Sequence, residues 1–188
     1  MRALDRLLRR WRIAKAVPWI RHGDRLLDVG CFDRSLIERV AERVHAAVGV
    51  DPLLEPCDEG RIRLLRGQFP EDFAFSDASF DCITALAVLE HVPEPERFAR
   101  ECHRLLAPGG RVVLTVPHPA VDRLVDTLRM LRLLDAMSLE EHHGFDVERT
   151  QQIFSVAGLR ALVERPFQLG LNRLFIFERP RADTNRTT

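Results

Sequence analysis

The chain has 188 residues, 46% of them hydrophobic and 30% charged, with Lys+Arg and Asp+Glu both at 28 and no formal net charge. This balance argues against a disordered chain and removes the electrostatic footprint expected of a nucleic-acid binder. It suits one domain over 1–188 with no transmembrane segment, because no apolar run approaches the roughly 20 residues that cross a bilayer.

Residues 1–20 read as a leading helix. Arg2 to Lys15 is basic and places Leu4, Leu7, Leu8 and Trp11 on one face. Packing over the domain, or over its ligand cleft, is favoured over lying on an anionic membrane, although peripheral contact stays open. The same stretch has no apolar core or small-residue cleavage site, so no secretory leader is expected and the location expected is cytoplasmic.

From Arg25 to Gly110 short apolar runs alternate with helical patterns, the signature of βαβ units around a parallel sheet. The spacing predicts strands over Arg25–Gly30, Ala46–Asp51, Arg61–Arg66, Phe80–Leu86 and Arg111–Val116, and helices over Ser35–Val44 and Glu94–Leu106. Pro108-Gly-Gly110 reads as a stop and turn between the last helix and strand. Val121–Met137 carries a wide apolar stripe within a 118–145 insertion, which reads as core packing, as a lid over an acceptor site or as a dimer face. A helix over Asp146–Ala157 stopped by Gly158, strands over Leu159–Pro166 and Arg173–Glu178 linked near Gly170, and a frayed tail over 181–188 complete the chain.

The informative feature is the turn after the first strand, Leu27-Asp-Val-Gly-Cys31, followed by a second strand closed by Asp51. Glycine at a strand-to-helix turn lets a ligand approach the backbone, and an acid about 20 residues on can hold ribose hydroxyls. A dinucleotide would bring an anionic pyrophosphate to this turn. Here Asp28 and Asp33 flank it, and Phe32 and Arg34 stand where bare backbone would be needed. A cationic ligand is the better electrostatic match.

Around that turn the chain resembles the small bacterial class I methyltransferases of the type-11 and type-23 domain families. Leu27-Asp-Val-Gly-Cys31, Gly49-Val-Asp-Pro52, Phe80 to Pro95 (with Leu-Ala-Val-Leu-Glu-His-Val-Pro) and Arg100 to Leu114 (with Leu-Leu-Ala-Pro-Gly-Gly-Arg) carry the resemblance. It implies a Rossmann-like, doubly wound α/β sheet of seven strands, mostly parallel with the last antiparallel. It also implies S-adenosylmethionine as cofactor and S-adenosylhomocysteine as product. Carried over by residue, Asp28, Gly30 and Cys31 would face the methionine half, Asp51 the ribose, and Pro52, Gln68 and Phe69 the adenine. Ala85 and Leu86 would offer backbone groups to the methionine amine. Phe32 stands where the family usually has glycine, and Arg34 where it often has another.

Other features have plainer readings. Cys31, Cys57, Cys82 and Cys102 form no CxxC pair and read as reduced structural thiols. His142-His143 lacks a third ligand, so no metal is expected. Glu90-His91 reads as a structural corner. His118, just past the fifth strand, is the first candidate for a general base and His91 the second. The expected function is methyl transfer to a small-molecule, lipid or glycan-intermediate acceptor, by a monomer or homodimer. A non-catalytic cofactor-binding partner protein is the alternative, and a nicotinamide-dependent oxidoreductase a third reading.

Overall fold

The computed structural model describes residues 3–117 and 146–181. The 118–145 insertion, with His118, Val121–Met137, His142 and His143, lies outside the described residues, as does the tail from 182.

In chain order the elements are α1 (Ala3–Ala16), β1 (Arg25–Val29), α2 (Ser35–Val40), β2 (Ala46–Asp51), β3 (Cys57–Glu59), β4 (Ile62–Arg66), β5 (Phe80–Leu86), α3 (Pro95–Leu105), β6 (Leu106–Pro117), α4 (Arg149–Val156), β7 (Arg160–Phe167) and β8 (Asn172–Glu178). One sheet holds all eight strands in the order β3-β4-β2-β1-β5-β6-β8-β7. β4, β2, β1, β5 and β6 run parallel, β8 pairs antiparallel with both β6 and β7, and β3 pairs antiparallel with β4. The expected seven strands with an antiparallel last one are therefore present, with β3 added at the edge.

Alternation along the strands builds two apolar layers. Leu27, Val112, Phe175 and Phe177 face Phe98 and Leu105 of α3 and Phe154 of α4. Their neighbours Leu26, Val113 and Ile176 face the opposite way, toward Ile13 and Ala16 of α1 and Leu36, Ile37 and Val40 of α2. Both faces of the central strands are covered, which is why they read as continuous apolar runs rather than alternating ones. A buried ion pair, Arg111 to Asp24 at 2.5 Å, and an Arg111 Nε bond to the Trp19 carbonyl at 2.9 Å tie the segment after α1 to the sheet.

Most boundaries fall within three residues of the expected ones, and three features depart further. Pro108-Gly-Gly110 does not stop the chain before a strand. β6 starts at Leu106, directly after α3, and absorbs both glycines where its register against β5 shifts between Phe80 and Cys82. Gly109 takes φ +81°, and its amide donates to the Arg179 carbonyl at 2.8 Å, so the glycines make a bulge that receives the chain after β8. α2 ends at Val40, four residues early, and continues as a turn through Val44. β3 was unexpected; Asp58 accepts a hydrogen bond from the Gly60 amide at 3.2 Å, and Gly60 at φ +71° closes the β3–β4 hairpin.

Candidate functional site

The parallel strands end at one edge, and the described residues that the resemblance assigns to the cofactor gather there. Asp28 pairs in register with Gly49 on β2 and Thr84 on β5. Neighbours across strands share a face, so the Thr84 hydroxyl donates to Asp28 Oδ1 at 2.6 Å. Asp28 is buried, and its carboxyl is pushed up to about 7, first by burial and further by the nearby carboxylates of Asp51 and Asp33; the Thr84 bond and the charge of Arg9 oppose the rise. It sits poised between neutral and charged near physiological pH, and a cation brought against it would settle it as a carboxylate.

The turn that follows has an unusual backbone. Gly30 takes φ +71°, and a β-carbon on it would collide with Cγ2 of Val88 in the segment after β5. Phe32 at φ +44° and Arg34 at φ +57° are also left-handed, although neither is glycine. The turn thus follows a glycine path with large side chains on it, at a cost of about 1–3 kcal/mol for each strained residue. The amides of Gly30 and Phe32 are held by the end of β2, donating to the Val50 carbonyl at 2.9 Å and to Asp51 Oδ2 at 3.2 Å. The Arg34 side chain turns toward the sheet edge, where it meets Glu59 at 2.9 Å and Glu38 at 3.2 Å.

Asp51 is the last residue of β2. Its Oδ1 accepts from the Leu53 amide at 2.8 Å and its main-chain carbonyl from the Gly67 amide at 3.3 Å. This brings the ends of β2 and β4 together. Pro52 and Gln68 are exposed beside it, and the Gln68 amide donates to Asp72 Oδ2 at 2.7 Å. Phe69 is buried, its ring edge-on to Phe98 with centroids 5.3 Å apart. Ala85 is buried at the end of β5, Leu86 is half-buried, and the Ala87 amide that follows donates to the Thr115 carbonyl of β6 at 2.9 Å.

Cys31 faces inward. Gly49 leaves the space that its sulfur, Ile37 and Leu64 fill, and burial beside Asp28 and Asp51 pushes the thiol up to about 12. A thiol so placed is unreactive packing, and Cys31 offers a ligand only its backbone. His91 lies exposed on the single helical turn Leu89–His91 after β5.

A residue that the sequence reading passed over completes the cluster. Arg9 reaches from α1 across the turn to Asp33 at 2.6 Å and donates to the Cys31 carbonyl at 3.2 Å, with its guanidinium carbon 5.1 Å from the Phe32 ring centroid. Gln168, after β7, anchors the same helix by donating to the Leu8 carbonyl at 2.8 Å. The only sequence signal for Arg9 was its place one turn from Ile13 and on the same side as Ala16, the residues that α1 buries. Leu53, 77% exposed two residues past Asp51, was also missed and adds an apolar surface beside Pro52.

The arrangement places the buried carboxyl of Asp28, the guanidinium of Arg9 and the carboxylate of Asp51 around one left-handed turn. It can hold a ligand carrying an ammonium, a carboxylate and a vicinal diol. Among the described residues no group of three or more His, Cys, Asp or Glu could hold a metal ion, and no helix is long and apolar enough to cross a membrane.

Comparison with known proteins gives the family. A family model described as a methyltransferase domain, of type 23, matches residues 2–165. The ubiquinone biosynthesis O-methyltransferase of Pseudomonas aeruginosa strain LESB58 is 35% identical over 102 residues, covering 50% of this chain and 44% of that protein. A protein of Mycolicibacterium smegmatis named as a probable S-adenosylmethionine-dependent methyltransferase is 30% identical over 159 residues, covering 76% of this chain and 60% of its own. The chain thus spans about half the length of these curated relatives. Among solved structures, a Burkholderia thailandensis 1,6-didemethyltoxoflavin-N1-methyltransferase with bound S-adenosylhomocysteine superposes with a TM-score of 0.68 at 17% identity, covering 91% of this chain and 77% of that one. On the match over 2–165, the chain belongs to the class I S-adenosylmethionine-dependent methyltransferases.

Proposed function

We propose that the chain binds S-adenosylmethionine at the carboxyl ends of β1, β2, β4 and β5 and catalyses transfer of its methyl group to the hydroxyl oxygen of a small molecule. The observation that carries the reading is Asp28, buried and raised to about 7, with Arg9 and Asp51 at either side of the same turn. A zwitterionic amino-acid group needs opposite charges close together, and a ribose needs an acceptor for two hydroxyls; the three side chains supply both.

In this reading the bound cofactor supplies a methyl group on a sulfonium, and the protein aligns it and excludes water. Asp28 and the backbone at Ala85 and Leu86 take the ammonium, and Arg9 takes the carboxylate. Gly30 and Cys31 present main chain to the methionine half, and Asp51 accepts from the ribose hydroxyls. Pro52, Leu53 and Gln68 border the adenine, with Phe69 contributing backbone, since its ring is committed to Phe98. A hydroxyl acceptor must lose a proton; His118, one residue past β6, is the first candidate base and His91 the second.

Oxygen as the acceptor atom is supported by the Pseudomonas relative's name and the 102 residues it shares with this chain. The methyltransferase names of both curated relatives support turnover over a non-catalytic partner role. The test is formation of S-adenosylhomocysteine from S-adenosylmethionine against a panel of hydroxylated and amine acceptors. Turnover with a hydroxylated acceptor alone is the expected result; turnover with amines alone would reject the oxygen assignment, and none with any acceptor would favour the non-catalytic role.

A further inference from the structure

α1 packs on the domain through Ile13 and Ala16, both buried. The outer side of such a helix is normally polar throughout. This one carries an apolar stripe between its cations. Leu7, 60% exposed, and Trp11, 42% exposed, continue at helical spacing through exposed Ala14 to exposed Pro18. Beside the stripe runs an open cleft of about 530 Å³ between the end of α1 and the β7–β8 hairpin, floored by Pro18, Trp19, Phe167 and Leu174 and edged by Lys15 and Arg165. The hairpin turn adds Leu169, 98% exposed, next to the Gln168 that is bonded to α1. Arg6, Arg10, Lys15 and Arg165 are exposed along this face, and no ion pair among the described residues engages them. The nearby acid Glu164 is paired with Arg173 at 3.0 Å.

We infer that this face docks the protein on the surface of an anionic phospholipid bilayer, with Leu7, Trp11 and Leu169 entering the headgroup boundary and the four cations meeting lipid phosphates. Leu and Trp between Lys and Arg is the composition that partitions to that boundary, and each cation near such a surface adds to the attraction. A second copy of the chain is a poorer occupant. A two-fold interface brings a patch against itself, so the cations of both copies would gather at one seam, and interface cores are depleted of charge. The inference is independent of the methyltransferase reading.

The chain offers its own probe, since it has two tryptophans, Trp11 and Trp19, and no tyrosine, and both tryptophans lie on this face. The 188-residue chain is titrated with phosphatidylglycerol vesicles and, separately, with phosphatidylcholine vesicles. The expected result is a blue shift of emission and quenching by brominated lipid with phosphatidylglycerol only, reversed by salt. The double variant Arg10→Gln/Lys15→Gln is expected to lower the partition coefficient about thirty-fold, with circular dichroism and S-adenosylhomocysteine binding unchanged. No shift with either vesicle, or equal partition to both, overturns the inference. So does a lipid-free dimer, seen by light scattering, that Leu7→Ser converts to monomer.

Discussion

Arg9 and Asp33 meet at 2.6 Å across the strand-to-helix turn, so an ion pair ties the leading helix to that turn. Both groups are partly exposed, which limits what the pair adds to stability. Its consequence is positional: it keeps a guanidinium above the backbone where the carboxylate of an amino-acid ligand would lie. Arg9→Ala is expected to weaken S-adenosylhomocysteine binding about tenfold, the scale of one charged hydrogen bond. Methylthioadenosine, which lacks the carboxylate, should bind the variant as it binds the parent. Calorimetry with both ligands checks this, and an equal loss for the two would make Arg9 a structural clamp only.

The raised carboxyl of Asp28 gives a pH dependence of definite sign. Its folded value of about 7 exceeds the ordinary carboxyl value of 3.8, so the folded protein favours the neutral acid. The stability this group contributes is fully present below about pH 4 and is lost as pH rises through 7. A cationic ligand reverses the preference and requires the ionised form. S-adenosylmethionine affinity is therefore expected to rise about tenfold between pH 6 and pH 8 and level off above it. Asp28→Asn should flatten that profile, lower the affinity at pH 8, and remove this group's stability decline in the unliganded protein. Titration calorimetry and thermal melts across the pH range read all three; a profile unchanged by the substitution would exclude Asp28 as the titrating group.

Phe32 keeps a left-handed backbone at φ +44° with its ring under Arg9. Phe32→Ala and Phe32→Gly both delete the ring, and only glycine relieves the backbone. The glycine variant is expected to be the more stable by about 1 kcal/mol, measured by urea unfolding. The opposite order would mean that the turn is not left-handed in solution.

The sequence made the central sheet legible because its strands are buried on both faces and most of them, β1, β2, β4 and β6, have glycine, proline or aspartate at or beside an end. β2 and β5 fall within the expected limits residue for residue. Pro108-Gly-Gly110 misled because the glycines serve a bulge, a tertiary feature set by pairing with β5 and by Arg179. β3 escaped notice because a three-residue edge strand (Cys57-Asp-Glu) carries no periodicity; its Asp-x-Gly turn was the only cue. At the site, Asp28, Gly30 and Asp51 were readable since the turn chemistry is local. Arg9 and the Thr84 bond to Asp28 were not, because they depend on which face α1 buries and on the β1–β5 register.

The most direct test of the account is calorimetric titration of the protein with S-adenosylmethionine, S-adenosylhomocysteine and NAD, repeated on Asp51→Ala. Asp51 caps the Phe32 and Leu53 amides at 3.2 and 2.8 Å, and in this account its carboxylate also takes the ribose hydroxyls. Both adenosyl ligands should bind and NAD should not, and Asp51→Ala should cost about 1.5 to 3 kcal/mol of adenosyl-ligand affinity, roughly ten- to a hundred-fold. Binding of NAD in preference to the adenosyl ligands, or an Asp51→Ala affinity equal to that of the parent, would contradict it.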